Sequence, residues 1–300
     1  MSVSRWIDTH IHVSNYGPGG VEREDILDDL LELLDRSGVD LRFIISCDGP
    51  WTSRMMQDAD QVLEAHRFIY DLVRRAPDRL YGSCTVNPSF PEQSLEVMRI
   101  CFEEWGFVQL GEMLQYMMGY DMNCDAVEEE LRLAVQLDVP VQVHISTSNR
   151  GEHPSSFGME QLADLFEAVE RVPEAKYILA HAVGMPDDNP PVVDQYLDAI
   201  EDRYGEFPGN FWVEIRDFSS PGVRSVMDRV PSTQLLAGTD WTTRVGPPFQ
   251  PYGTIFGTTP DENPYPPSIE AMVEFLSEAG ANEADIEGIV FQNATSLYRL

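Results

Sequence analysis

Lysine is almost absent from this chain, since Lys176 is the only one among its 300 residues. Lysine and arginine together number 20 against 51 aspartates and glutamates, which gives a formal net charge of -31. A surface this acidic repels phosphate backbones, so we expect no nucleic-acid partner. The excess is either an adaptation to high salt, which screens self-repulsion, or a bias of composition, and both explanations stay open.

Long hydrophobic runs are also missing. No apolar segment approaches the ~20 residues that a membrane-spanning helix needs, and we expect no secretion signal. The four cysteines lack the short paired spacings of a disulfide framework or a cysteine-rich zinc site; they are Cys47, Cys84, Cys101 and Cys124. We expect a cytoplasmic protein that acts on a small molecule and makes no membrane contact. Assembly into a homo-oligomer is compatible with these features.

Short apolar runs alternate with amphipathic helical patterns along the whole chain. The predicted strands are 6–13, 41–46, 80–87, 107–114, 141–145, 177–180, 211–215 and 235–239. Eight strands alternating with eight helices predict an α/β fold, a (β/α)8 TIM barrel that forms one domain over residues 1–300. A doubly wound sheet is the alternative, but no Gly-x-Gly-x-x-Gly motif follows the first strand.

One long irregular stretch, 241–266, follows the last predicted strand and is rich in proline, glycine, threonine and aromatic residues. Loops of this length are usually functional or disordered, and we expect this one to cover the catalytic end of the barrel. Trp241 at its start could line a substrate pocket. Arg54, Arg216 and Arg244 follow predicted strands, and each is a candidate to bind an acidic group of the substrate.

The first predicted strand contains the sequence IDTHIHV, with two histidines behind an aspartate. Strict alternation puts two sets of side chains on opposite faces, Trp6, Asp8, His10 and His12 on one and Ile7, Thr9, Ile11 and Val13 on the other. The second face is mostly apolar, as expected under helices. The first face carries polar groups that need partners if they are buried.

Further histidines and carboxylates lie near the carboxyl ends of other predicted strands. Glu112 lies late in the fourth, His144 and His181 end the fifth and sixth, and Asp240 follows the eighth. In a barrel these strand ends converge on one bowl. Imidazoles and carboxylates at one point predict a divalent-metal site, with Zn²⁺, Mn²⁺ or Fe²⁺ as suitable ions.

These stations resemble the amidohydrolase superfamily of metal-dependent hydrolases: Asp-x-His-x-His on the first strand, single histidines ending the fifth and sixth, and an aspartate ending the eighth. The closing IVFQNATSLYRL resembles the last helix of its amidohydrolase-2 branch, which includes aminocarboxymuconate semialdehyde decarboxylase. The resemblance implies that His10, His12, His144 and Asp240 are metal ligands. It implies that His181 is a ligand of a second metal or a hydrogen-bond donor to substrate.

Glu112 departs from the pattern of the mononuclear decarboxylases and looks like the strand-4 glutamate that bridges two ions in TatD-like enzymes. The resemblance therefore implies one or two ions per chain, with zinc the first expectation and manganese or iron as alternatives. The register of its strand is not fixed by sequence, so Glu112 is either a bridging ligand or a structural carboxylate.

The chemistry predicted from this set is hydrolysis of an amide, ester or lactone by a metal-activated water. Asp240 would take the proton from that water, and His181 would stabilise the developing oxyanion. The alternative is non-oxidative decarboxylation of an aromatic or unsaturated carboxylic acid, which needs an arginine for the carboxylate and no added water.

Overall fold

A nine-stranded parallel sheet organises the protein. The computed structural model describes residues 2–17, 21–22, 25–47, 52, 58–145, 157–183, 190–216, 218–242 and 268–300. In these ranges the sheet strands are β1 Arg5–Val13, β2 Asp40–Cys47, β3 Leu80–Cys84, β4 Gln109–Met113, β5 Val141–Val143, β6 Tyr177–Leu179, β7 Phe211–Ile215, β8 Leu235–Ala237 and β9 Trp241–Thr242. Each of the eight predicted strands is present, most of them one to three residues shorter than predicted.

The sheet curls until its two ends meet. Neighbouring strands run in the order β8-β7-β6-β5-β4-β3-β2-β1-β9, and β9 follows β8 in the chain. The Thr9 hydroxyl on β1 donates to the Ala237 carbonyl at the end of β8 (3.0 Å), and the Asp240 amide donates to the His10 carbonyl (2.8 Å). These bonds join the first strand to the eighth, and the predicted TIM-barrel fold is confirmed.

Helices cover the strands, because each carries an apolar stripe that must be buried. Their bounds are Ile26–Arg36, Asp60–Val73, Pro91–Arg99, Gln115–Met118, Asp125–Leu137, Phe157–Arg171, Ala180–Val183, Pro190–Tyr204, Gly222–Arg229, Ile269–Glu278, Glu283–Glu287 and Asn293–Tyr298. A π-helical turn joins the last two into one C-terminal helix. Asn293 in this helix donates to the carbonyls of Ser232 (2.7 Å) and Leu235 (2.8 Å), which fixes the helix against the start of β8. None of the helices in the described ranges could cross a lipid bilayer.

Two expectations from the sequence need correction. The first two residues of the predicted loop 241–266 form strand β9, which pairs with Ile11 and His12 of β1; residues 243–266 lie outside the described ranges. Thr9 does not share the helix-facing side of β1, because its hydroxyl lies 3.0 Å from Glu214 on β7. The pairing of β1 with β2 shifts register between Asp8 and Ile11, and this irregularity breaks the strict alternation.

Candidate metal centre

Six predicted site residues meet at the carboxyl end of the barrel. His10 and His12 come from β1 and Glu112 from β4. The others lie one to three residues past the ends of their strands: His144 after β5, His181 after β6 and Asp240 after β8. All are buried except His144, which is partly exposed. Residues more than 200 positions apart thus contact one another, as barrel geometry predicts.

Four atoms form a first donor group. The Nε2 atoms of His10 and His12 lie 3.0 Å apart. The Oε2 atom of Glu112 lies 3.6 Å from the former and 3.4 Å from the latter. The Oδ1 atom of Asp240 lies 3.6 and 3.2 Å from the same two nitrogens. Ligands bonded at ~2.1 Å to one ion lie ~3.0–3.4 Å apart in octahedral or tetrahedral arrangement, so these spacings suit one divalent cation.

The other oxygens of the same two carboxylates belong to a second donor group. The Oε1 atom of Glu112 lies 2.7 Å from Nδ1 of His144 and 3.1 Å from Nε2 of His181. The Oδ2 atom of Asp240 lies 3.4 Å from the same His181 nitrogen. Glu112 and Asp240 therefore each offer one oxygen to either group, which is the arrangement that a bridging ligand requires.

The imidazoles of β1 are oriented for metal binding. Nδ1 of His12 lies 2.7 Å from the carbonyl oxygen of Cys47, and Nδ1 of His10 lies 2.9 Å from Oε2 of Glu214. A carbonyl and a carboxylate only accept hydrogen bonds, so both Nδ1 atoms carry the hydrogen. Both Nε2 atoms thus face the cluster, and in the neutral tautomer their lone pairs point into it, as metal-binding histidines commonly do. The donor set fits a divalent metal.

Asp8 supports the site without joining it. Its carboxylate accepts from the Thr239 amide (2.9 Å), the Thr239 hydroxyl (2.6 Å) and the His10 amide (3.2 Å). Burial raises the pKa of Asp8 to about 7, although these hydrogen bonds oppose the shift. Asp8 thereby fixes the residue that precedes Asp240.

Asp240 and His181 both have left-handed backbone conformations, with φ of 53° and 60°, an uncommon state for residues other than glycine.

Charges within the cluster favour a bound cation. Burial alone would lower the pKa of His10, but the carboxylates of Glu214, Asp240 and Glu112 outweigh it and raise that pKa well above its ordinary value. Burial also opposes protonation of His12, yet hydrogen bonds to Asp240 and Glu112 raise its pKa to about 10. A metal ion bound at Nε2 would replace these protons, so metal binding here releases protons.

The carboxylates are held ionised in the same way. Burial by itself would raise the pKa of Glu112, but His144, His181 and His10 hold it well below its usual range. The neighbouring histidines likewise lower the pKa of Asp240 against the effect of burial. Burial lowers the pKa of His181, in spite of the nearby carboxylates. Its Nδ1 atom is buried and has no hydrogen-bond partner among the described residues.

The predicted substrate-binding residues have different outcomes. Arg216 follows β7, is 8% exposed, and donates from Nη1 to Oδ2 of Asp240 at 3.3 Å. Trp241 is 5% exposed and its ring lies 6.3 Å from that of Phe43 in the core, so a substrate contact by Trp241 stays a prediction. Arg54 and Arg244 lie outside the described residues.

Another histidine with two cysteines forms a group that resembles a metal site but is not available as one. His66, Cys84 and Cys101 lie close together and are buried. The Nδ1 atom of His66 donates to the Val62 carbonyl (2.5 Å), and its Nε2 atom accepts from the Thr85 amide (2.8 Å). Since both ring nitrogens are engaged, His66 ties its helix to β3 and has a structural role.

Four buried polar residues beneath the cluster did not emerge from the sequence: Gln109, Gln142, Glu214 and Tyr298. The signal was present, because Gln142 and Glu214 are single polar residues inside strands that are otherwise apolar, VQV and FWVEI. Such a residue must find a partner when it is buried. Glu214 could therefore have been singled out from the sequence in the same way as the histidines.

A protein-family model described as amidohydrolase matches residues 7–300, which is nearly the whole chain. The chain belongs to the amidohydrolase family. The resemblance inferred from the first strand, the later strand ends and the closing helix is thereby confirmed. None of the curated proteins matches this amidohydrolase by sequence.

Solved structures share the fold at low sequence identity. A dihydroxybenzoic acid decarboxylase from Polaromonas sp. JS666, with bound manganese and the inhibitor 2-nitroresorcinol, has a TM-score of 0.68 and 17% identity and covers 99% of this chain and 98% of its own. The 5-carboxyvanillate decarboxylase LigW from Sphingomonas paucimobilis has a TM-score of 0.65 and 14% identity, and the match covers 99% of this chain and 100% of LigW. The 4-oxalomesaconate hydratase LigJ from Rhodopseudomonas palustris has a TM-score of 0.67 and 15% identity, and the match covers 98% of this chain and 95% of LigJ.

These likenesses correct the function predicted from the sequence. The prediction of amide, ester or lactone hydrolysis is wrong, because the similar structures are mostly decarboxylases, with a hydratase beside them. The decarboxylase alternative accounts for them better. A divalent metal is supported by the donor groups and by the manganese in a similar structure, while the expectation of zinc in particular is not.

Proposed function

We propose that this amidohydrolase is a metal-dependent, non-oxidative decarboxylase of a small aromatic or unsaturated carboxylic acid. The observation that carries the proposal is the position of Arg216. Its guanidinium is almost fully buried and lies 3.3 Å from Asp240, at the edge of the donor groups. An arginine there can bind an acidic group of the substrate beside the metal ligands. The full-length likeness to aromatic-acid decarboxylases supports the same reaction class.

Decarboxylation breaks the bond between the substrate carbon and its carboxylate. Carbon dioxide leaves, the electron pair stays on the carbon, and one proton replaces the lost group. A divalent ion held by these ligands would supply Lewis-acid polarisation of a substrate oxygen. Arg216 would orient the acid. If only the first donor group carries an ion, Nε2 of His181 and Oδ2 of Asp240, 3.4 Å apart, are the pair that can hold the incoming proton and deliver it to carbon. If the second donor group carries an ion too, these two atoms are its ligands and the proton comes from solvent.

The expected cofactor is Mn²⁺, Zn²⁺ or Fe²⁺, since imidazole and carboxylate ligands suit all three. Because Glu112 and Asp240 each divide their oxygens between the two donor groups, we propose two ions per chain. Metal content of wild type and of Glu112→Gln tests this. A fall from two ions to one supports a bridging Glu112, and a single ion in both proteins contradicts it. Glu129→Gln, an exposed change, is the control.

The reaction itself is tested with a panel of hydroxybenzoic and unsaturated carboxylic acids in D₂O. We expect release of CO₂ and, in the product, one deuteron at the carbon that carried the carboxylate, detected by NMR. Arg216→Lys should raise KM for these acids. Arg42→Met is the control, because Arg42 binds Asp40 at the opposite end of β2. Metal-loaded wild type that releases no CO₂ from any acid of the panel would contradict the proposal.

A further inference from the structure

Beneath the metal ligands, the barrel interior contains a chain of buried polar side chains where an ordinary core would be apolar. Gln109 on β4, Gln142 on β5 and Glu214 on β7 have no exposed surface, and Tyr298 of the C-terminal helix is almost fully buried. Burying such groups costs free energy unless every one is hydrogen-bonded. This series of hydrogen-bonded side chains is therefore a specific feature that packing alone does not explain.

The hydrogen bonds form an unbroken series. The Tyr298 hydroxyl lies 2.5 Å from Oε1 of Gln109. Nε2 of Gln109 lies 2.9 Å from Oε1 of Gln142, and Nε2 of Gln142 lies 2.7 Å from Oε1 of Glu214. The other carboxylate oxygen of Glu214, Oε2, accepts a hydrogen bond from Nδ1 of His10 at 2.9 Å. We call these four residues, Tyr298, Gln109, Gln142 and Glu214, the buried relay.

The direction of the relay is fixed by chemistry. A carboxylate only accepts, so the amide end of Gln142 that faces Glu214 must be its NH₂ group. The carbonyl end of Gln142 then accepts from the NH₂ group of Gln109, and the carbonyl end of Gln109 accepts from Tyr298. Reversing either amide would place two acceptors or two donors face to face. Burial raises the pKa of Tyr298 well above its usual value, so the hydroxyl keeps the proton that it donates.

Room for the carboxylate at the end of the relay is provided by a glycine. A Cβ atom at Gly238 would lie 2.9 Å from the carboxyl carbon of Glu214 and 2.9 Å from the hydroxyl of Thr9. That hydroxyl also lies 3.0 Å from Oε1 of Glu214. Glu214 is thus confined by Gly238, Thr9 and Gln142, and only its Oε2 atom is directed at His10.

We propose that Glu214, held by the buried relay, is a positioning residue that keeps the hydrogen of His10 on Nδ1 and so sets the affinity of the site for divalent metal. Tyr298 anchors the relay, so a residue near the end of the chain acts on a ligand of the first strand. The proposal rests on the metal site described above but not on the decarboxylation reaction. Outer carboxylates of this kind typically contribute 10- to 100-fold to metal affinity.

The test compares two tyrosines that each lose only a hydroxyl group. Tyr298→Phe breaks the first bond of the relay. Tyr177→Phe is the matched control, because Tyr177 is also buried but donates to the Val172 carbonyl, outside the relay. Glu214→Gln removes the terminal carboxylate: Gln142 and His10 donate to different oxygens of Glu214, and the amide keeps only one oxygen and turns the other position into a donor.

Two measurements are made on each protein. The first is the exchange rate with solvent of the His10 Nδ1 hydrogen, followed by NMR of ¹⁵N-histidine protein in metal-free and zinc-loaded forms. The second is the Kd for Mn²⁺ in competition with a chelator. We expect slow exchange in wild type and in Tyr177→Phe, faster exchange in Tyr298→Phe with a several-fold weaker Kd, and loss of the signal in Glu214→Gln with a Kd weaker by about 10- to 100-fold.

Folded Tyr298→Phe that matches Tyr177→Phe in both exchange rate and Kd would overturn the proposal, even if Glu214→Gln fails to fold. Failure of the metal site gives a different result. If wild type binds no Mn²⁺, the proposed function is contradicted, as is the role of the relay in metal affinity. The exchange rates of the metal-free proteins then still decide whether the relay holds the His10 hydrogen.

Discussion

Glu130 is a buried carboxyl group, and replacing it should stabilise the protein by an amount that depends on pH. It lies in the helix Asp125–Leu137 with no exposed surface, and neither carboxylate oxygen has a hydrogen-bond partner among the described residues. The Ser94 hydroxyl is nearby but donates to the Asn87 carbonyl at 2.8 Å. Burial therefore raises the pKa of Glu130 from 4.5 to about 8, opposed in part by Ser94 and assisted by Glu129.

The magnitude follows from linkage. The folded state has the higher pKa, so the stability provided by the neutral carboxyl is complete below pH ~4.5 and is lost as pH rises towards ~8. At ~1.4 kcal/mol per pH unit between the two pKa values, the unfolding free energy falls by about 2 kcal/mol by pH 6 and by about 4–5 kcal/mol at pH 8 and above, because the carboxyl ionises more readily in the unfolded chain. Glu130→Gln keeps the shape of the side chain and removes this cost.

Urea unfolding of wild type and Glu130→Gln between pH 5 and 8.5 measures the effect. We expect the variant to gain little at pH 5 and several kcal/mol at pH 8. Glu129→Gln, an exposed change on the same helix, should show only a weak pH dependence. A free-energy difference for Glu130→Gln that stays constant across the range would refute the reasoning.

Two further predictions concern packing and charge. Gly238→Ala should lower the unfolding free energy by about 1–3 kcal/mol, because the added Cβ atom would overlap Glu214 and Thr9. Gly209→Ala, with no atom within 4 Å of the added carbon, should lower it far less in the same urea experiment. Equal losses in the two variants would contradict this prediction. The net charge of -31 predicts that the melting temperature rises from low to molar KCl as self-repulsion is screened, and a melting temperature independent of KCl would remove the explanation by salt adaptation.

The sequence predicted the element pattern well because that pattern is local. Apolar runs and amphipathic repeats each report on a few neighbouring residues, and the strands lie within a few residues of their predicted ends. The histidines of β1 and those after β5 and β6 could be singled out for the same reason. An imidazole at the end of an apolar strand is conspicuous without knowledge of its partners.

The orientation of Glu112 could not be read in this way. Whether its side chain faces the cluster depends on the register of β4, and a shift of one residue would turn it outward. The structure brings its two oxygens to different histidines, which is the geometry that a bridging ligand needs, and the bridging role itself stays a prediction. Thr9 shows the same limit, because a register shift in β1 moved it to the side of Glu214.

The fold class of this amidohydrolase, its acidic composition and the residue types at the ends of the strands could all be predicted from the sequence. The three-dimensional structure was needed to see which carboxylates contact which imidazoles and that Arg216 contacts Asp240. It was also needed to see the connection of Tyr298 to His10 through Gln109, Gln142 and Glu214. The physical reason is distance along the chain. Periodicity reveals which face a residue occupies, but the partner across the barrel is chosen by closure of the sheet and by the register of strands that can lie 230 residues apart, as Ile11 and Trp241 do.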